Sequence, residues 1–348
     1  MYYINSDFKL NGGFFVNAKE RLDAYLAGEK TDRRPNLTIV GSVVTRYVGM
    51  GIDTYCKDYK KMAEAARLAA HDLDLDFIQI ASDLAREAEG YGTVLRFPAD
   101  KLPSPTKYAL EDIEDVDKLR PLKAAEIPRL YDLVKVTELA MADPDIYPMT
   151  LAVGPMTVAG NMRGVEDLLV DSIDEPEAVE RLLEIVTGTT LDFIDCLAGI
   201  GAKYVYVADP VASLIAPHMY RDLVLPRHKQ IFERMAQHGI TGRLHMCGNT
   251  TGTLPYSRQC GAKIIDIDHA VDYAEALDIV DGACLLNGCI DPVADVYACD
   301  ADHVKAAMHA CADKANGRRG LFMPGCELPT ATPTENVKAI AEALKEIG

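Results

Sequence analysis

The feature that most restricts this chain is a recurring alternation of short apolar stretches with longer amphipathic ones. Eight stretches read as strands: 36–43 (NLTIVGSV), 76–82, 149–155, 203–209, 241–247 (TGRLHMC), 262–268, 283–288 and 319–325 (RGLFMPG). Each is mostly apolar, rich in β-formers and followed by Gly, Asp, Asn or Pro, as expected of strands buried on both faces of a parallel sheet. The intervening patterns, such as 176–200 and 300–315, are helical, with Asp or Glu at the front and Lys or Gly at the back. Eight βα units within 348 residues predict an α/β fold of the (β/α)8 TIM-barrel type. A doubly wound open sheet is the competing fold. However, the glycines of "VGSVVTRYVGMG" after the first strand do not have the G-x-G-x-x-G spacing. Residues 15–29 read as a helix preceding the barrel, within an N-terminal extension over 1–35. The stretch 90–125 is long, acidic and Pro-containing. It follows a strand end, so it is expected over the barrel mouth as a lid or wall. No interdomain linker interrupts the pattern, and 1–348 is read as one domain.

Composition narrows the partners. Hydrophobic residues make up 49% and charged residues 26%, ordinary for a folded soluble protein. A formal charge of -17 argues against nucleic acid, since such a surface cannot neutralise a row of phosphates. A basic protein partner or a neutral small substrate stays open. No apolar run approaches the roughly 20 residues of a membrane span, and "MYYINSDFKLNGG" lacks signal-peptide architecture. A cytosolic protein away from membranes is expected. The nine cysteines are odd in number and lie in a large chain, so reduced thiols are expected, most of them small buried hydrophobes.

Barrel geometry then selects residues, because catalytic groups gather at the C-terminal strand ends. One step past each strand stand Asp83, Asp209, His245 with Cys247, Asp268 with His269, Asn287 with Asp291, and Cys326 with Glu327. A His and a Cys two positions apart on an extended strand point to the same side, and Cys326 arrives from the eighth strand. Any one of them alone reads as a core residue. Together, at the active rim, His245, Cys247 and Cys326 predict Zn2+ held by three N/S ligands with a fourth position open, the pattern of a catalytic site.

The barrel together with "LHMCGNT", "NGCIDPV" and "MPGCELP..TPTENVKAI" resembles the uroporphyrinogen decarboxylase superfamily, specifically its zinc-dependent corrinoid methyltransferase branch. That branch includes methylcobamide:coenzyme M methyltransferases and the substrate-side methyltransferases of O-demethylase systems. The resemblance covers nearly the whole chain. It implies methyl transfer involving the cobalt of a corrinoid (cobalamin). No Asp-x-His-x-x-Gly corrinoid-ligand motif is present, so a separate corrinoid carrier protein is expected as partner, beside a small methylated substrate. Asn249, Asn287 and Asp291 are the expected cofactor-binding residues. Asp83, Glu87 and Glu89 are the expected catalytic carboxyls, with Glu327 a further candidate, any of which could protonate a leaving group. His218, His228 and His269 are read as structural or partner-contacting.

Departures from the decarboxylases matter too. Their arginine-rich segment after the first strand is reduced here to Arg46, which disfavours porphyrinogen decarboxylation, although Asp83 corresponds in kind to their pyrrole-binding aspartate. Coenzyme M carries a sulfonate that calls for a cation. The rim offers Arg46 and Arg163 against at least five carboxylates, with lid residues Lys101 or Lys107 as further sources of charge. The "GCELP" context also differs from the "GCGIAP" form of the coenzyme M enzymes. A methoxyarene is therefore the expected methyl donor, in O-demethylation. The alternative is methylcobamide:coenzyme M (thiol) methyl transfer. A corrinoid-independent thiol methyltransferase and a catalytically silent docking barrel are further readings.

Overall fold

The computed structural model describes residues 17–348. Nine strands occur among the described residues, in chain order: β1 Phe77–Ile80, β2 Val94–Arg96, β3 Ser104–Lys107, β4 Tyr147–Val153, β5 Tyr204–Ala208, β6 Thr241–His245, β7 Ile264–Ile267, β8 Leu285–Ile290 and β9 Leu321–Pro324. Seven of them form one parallel sheet in the order β1-β4-β5-β6-β7-β8-β9. The strands are almost wholly buried. Helices such as Pro176–Gly199, Leu225–Gln237, Ala301–Ala315 and Thr334–Ile347 carry the connections and bury their apolar faces. Such burial on both faces is why the strands read as continuous apolar runs without polar alternation.

The first expected strand, 36–43, is corrected. Residues 36–40 carry no ladder, and Gly41–Val48 forms a 3-10 helix. The segment nevertheless bridges the two edges of the sheet: Asp76 N–H, just before β1, donates to Asn36 O, and Leu328 N–H, just past β9, donates to Ile39 O. Its own later N–H groups are taken by a side chain, since Val40 N and Gly41 N both donate to Gln79 Oε1 at 2.9 and 3.0 Å. Gly41 turns the chain at φ 48°, and any Cβ there would overlap the Glu327 carboxyl. The barrel is thus closed by seven laddered strands and one extended stave whose hydrogen bonds are irregular.

The N-terminal helix spans Ala18–Ala27, with Asn17 and Glu20 forming a capping box and Gly28 in the left-handed conformation beyond it. Positions 15 and 16 of the expected helix lie outside the described residues. Within 90–125, β2 and β3 pair antiparallel as a small hairpin. Its loop reaches the mouth, where Leu102 lines the central cavity and Ala99 O accepts from Ile52 N. The part after residue 108 packs against Pro176–Gly199 instead, through Leu122 N to Thr189 Oγ1 and Ala124 N to Asp192. The expectation of uniformly reduced thiols is also corrected. Ala301–Ala315 lays its buried face on β8, bringing Cys289 and Cys311 to a Cα separation of 6.1 Å, and the two are joined in a disulfide. The other seven cysteines are free. Among the described residues, no helix is long and apolar enough to cross a membrane.

Candidate functional site

His245 ends β6, Cys247 follows two residues later, and Cys326 follows β9. The structure brings the three together. His245 Nε2 lies 3.0 Å from Cys247 Sγ and 3.7 Å from Cys326 Sγ, and the two sulfurs are 3.0 Å apart. Among the described residues this is the one cluster of His, Cys and acidic side chains whose donor atoms converge as a metal would require. Close backbone approach makes it possible. A Cβ at Gly325 would stand 2.8 Å from Asp268 Cα and His269 N, so only glycine lets the chain run close enough to β7 to deliver Cys326.

A buried network fixes the imidazole. In register, His245 pairs with Asp266 and Asp266 with Asn287, so the three form one inward layer across β6, β7 and β8. His245 Nδ1 donates to Asp266 Oδ2 at 3.0 Å, which leaves Nε2 free to face the sulfurs. Asp266 also accepts from Arg243 Nε at 2.9 Å and from Asn287 Nδ2 at 2.8 Å, and Arg243 in turn donates to Leu37 O. Burial would raise the Asp266 carboxyl, but Arg243 and His245 hold it below its ordinary range.

The triad's protons show what it lacks. The hydrogen bond from Cys247 outweighs burial and, with His245, pulls Cys326 down to about 5. The same contact, reinforced by burial, pushes the Cys247 thiol well up. Burial opposes charge on His245, yet its bonds with Asp266 and Cys326 raise it to about 9. Two sulfurs this close do not both ionise unless a cation stands between them. A divalent ion taking the place of these protons would let both thiols act as thiolates and the imidazole act as a neutral ligand.

The triad opens onto a cavity of about 110 Å³ lined also by Ile52, Tyr55, Ser82, Asp83, Tyr206 and Glu327. Glu327 accepts from Ser42 N at 3.0 Å, and burial raises its carboxyl. The expected catalytic carboxyls separate. Asp83 lines the cavity, but its oxygens already accept from Ser82 Oγ, Ala85 N and Arg129. Glu87 and Glu89 do not line the cavity. Glu87 turns inward under its helix, accepting from Val153 N beside Arg86, and burial raises it. Glu89 pairs with Arg129 at 3.0 Å. One arginine thus holds two of the three.

The expected cofactor-binding residues separate as well. Asn287 is buried and donates to Asp266. Asn249 is exposed on the loop after β6, where its side chain accepts from Thr251 N. Asp291 caps Pro292–Tyr297 and lies 3.3 Å from His269 Nε2, whose Nδ1 lies 2.8 Å from Asp268. His228 is buried between Asp209 and Tyr220. Sequence reasoning missed Arg243, Asp266, Gln79 and Tyr206. The first shares the 243/245/247 parity and was open to detection. The others depend on strand register, which no local pattern carries.

Residues 17–347 match the uroporphyrinogen decarboxylase (URO-D) family. The methylcobamide:CoM methyltransferase MtbA of Methanosarcina acetivorans is 26% identical, over 94% of this chain and 97% of its own length. The methylated-thiol–coenzyme M methyltransferase of Methanosarcina mazei is 27% identical over 83% and 77%. A solved methyltransferase structure from Methanosarcina mazei superposes with a TM-score of 0.82 at 22% identity, covering 95% of this chain and 99% of that one, and shares its fold. The names of these relatives fit the thiol alternative better than the methoxyarene expected from the acidic rim. The chain belongs to the uroporphyrinogen decarboxylase family.

Proposed function

We propose that this chain holds zinc on His245, Cys247 and Cys326 and transfers a methyl group between the cobalt of a separate corrinoid protein and a small thiol, acting in the cytosol. The observation that carries the reading is the convergence of one imidazole and two thiols on a single point at the open end of a barrel. Soft sulfur and imidazole donors favour zinc over magnesium, calcium or manganese. Zn–S and Zn–N bonds of about 2.3 and 2.0 Å at tetrahedral angles separate ligand atoms by roughly 3.5–3.8 Å. The donors stand 3.0 to 3.7 Å apart, so slight side-chain rotation accommodates the ion. Bound there, zinc supplies Lewis acidity that favours the ionised form of a substrate thiol without greatly reducing its nucleophilicity, because two thiolates already neutralise the ion.

The chain's own residues do the rest. Asp266 and Arg243 hold His245 in the tautomer that presents Nε2. Glu327, lining the cavity next to Cys326 with burial raising its carboxyl, is placed to take the proton that the thiol gives up. The apolar wall of Ile39, Ile52, Leu84 and Leu151 limits water around the sulfur. In the direction of thiol methylation the sulfur forms the new S–C bond, and the cobalt–carbon bond breaks with its electron pair left on cobalt. Exposed Leu102, Leu214 and Val293 stand on segments that follow strand C-termini. They offer an apolar rim against which the carrier could seat its corrinoid. The test is to supply the zinc-loaded protein with methylcobalamin and a small thiol. Loss of the methyl–cobalt absorbance with thioether formation, dependent on zinc, is expected. Demethylation of methoxyarenes by cob(I)alamin with no turnover of any thiol would overturn the thiol assignment.

A further inference from the structure

Tyr206, in the middle of β5, is buried, lines the cavity and carries a phenol whose orientation is imposed from behind. The imposing group is Gln79 on β1. Gln79 Oε1 accepts from both Val40 N and Gly41 N, so the amide cannot flip. Its Nε2 must therefore point at Tyr206, and it donates to the phenol oxygen at 3.1 Å. With an N–H donor fixed on that side, the phenol's own proton has to aim elsewhere. No protein acceptor takes it among the described residues. A buried hydroxyl proton left without a partner is costly, and the space open to it is the cavity shared with His245, Cys247 and Cys326.

Among the described residues, no Lys or Arg lines the same cavity, whereas Asp83 and Glu327 both do. The guanidiniums named so far, and Arg86, which donates to Asp83 O and Leu151 O, all have protein partners. Arg129 is held by Asp83 and Glu89. Arg243 is held by Asp266, and Arg163 by Asp171 and Glu111 O. Arg46 donates to the carbonyls of Thr330 and Thr332. A sulfonate or carboxylate entering here would be desolvated beside acidic side chains with no counter-charge.

We propose that Tyr206 is the specificity-determining residue for the substituent carried by the substrate thiol, donating its hydrogen bond to an uncharged oxygen, so that the enzyme selects small neutral thiols over sulfonated ones. The assignment rests on the thiol reading above. A fixed neutral donor rewards a hydroxyl or ether oxygen at that position, and the missing cation penalises an anion.

Three two-carbon thiols separate these effects: 2-mercaptoethanol, ethanethiol and 2-mercaptoethanesulfonate. With zinc-loaded wild-type protein and methylcobalamin, kcat/KM is expected to be at least about ten-fold higher for the hydroxythiol than for the sulfonate. Tyr206→Phe should raise KM for the hydroxythiol roughly ten-fold, equivalent to about 1.4 kcal/mol, while kcat, zinc content and the ethanethiol values stay within about two-fold. Calorimetric binding of the three thiols to the same zinc-loaded proteins should follow the same order. Equal or tighter binding of the sulfonate, or a Tyr206→Phe effect of the same size on ethanethiol, overturns the proposal. If binding keeps the neutral preference and its Tyr206 dependence but no thiol is methylated, the thiol-transfer reading fails and the assignment of Tyr206 to the pocket stands.

Discussion

Two walls of the barrel mouth carry ionisable side chains at strand ends, and they differ in what those groups are already bonded to. On the wall formed by β6 and β9, His245 Nε2 and two sulfurs face one another, with Asp266, Arg243 and Asn287 directing the imidazole from behind. On the wall after β1, Asp83 and Glu89 close on Arg129, and Glu87 is folded under its helix. Both walls satisfy the rule that barrel chemistry sits at the C-terminal strand ends. The first keeps an imidazole and two thiols whose donor atoms converge on one point. The second has its charges internally compensated, which makes it a support for the cavity more than a source of reactive groups.

Substitutions can break this contrast. The largest effect is expected on the first wall: Cys326→Ser should lose the metal and all measurable methyl transfer while remaining folded, as metal analysis and circular dichroism would show. On the second wall, Arg129→Met should cost about 3 kcal/mol in urea unfolding, because it leaves two carboxylates facing each other with no cation. The metal should nonetheless be retained. Metal loss in that variant would mean that the walls are not separable. Asp266→Asn sharpens the account of the first wall, since it keeps the shape but weakens the hold on His245. Zinc affinity measured by competition with a chelator should fall by roughly ten- to one-hundred-fold.

The smallest expected effect is at Glu87. Burial raises its carboxyl in the folded state, so the native protein holds that proton to higher pH than the unfolded chain does. Its contribution to stability is then fully present below the unfolded value of about 4.3 and is lost as pH rises through the folded value. Glu87→Gln should therefore gain stability relative to wild type between about pH 4 and pH 7, with a shift on the order of 1 kcal/mol and turnover unchanged. A loss of turnover would return Glu87 to the catalytic group.

The sequence made some layers of this molecule readable and left others hidden, for identifiable reasons. Seven buried strands were visible because burial on both faces produces uninterrupted apolar runs. The eighth stave at 36–40 has the same composition, but Gln79 supplies its hydrogen bonds and Gly41 turns it, and composition carries neither fact. The convergence of His245 and Cys247 was legible because the 245/247 spacing fixes a common side locally, whereas Asp266 and Asn287 became partners of His245 only through inter-strand register. The carboxylates misled because a sequence shows charge without its partner. Arg129, some 40 residues beyond Glu89, decides what Asp83 and Glu89 do.

The central claim is a metal held by one nitrogen and two sulfurs of this chain. X-ray absorption at the zinc edge, with metal quantified per chain, tests it most directly. One zinc per chain is predicted, with two protein sulfurs at about 2.3 Å and one imidazole nitrogen at about 2.0 Å, and with the sulfur shell diminished in Cys326→Ser. A protein that transfers methyl groups without stoichiometric metal, or a zinc shell of oxygen and nitrogen alone, would contradict it.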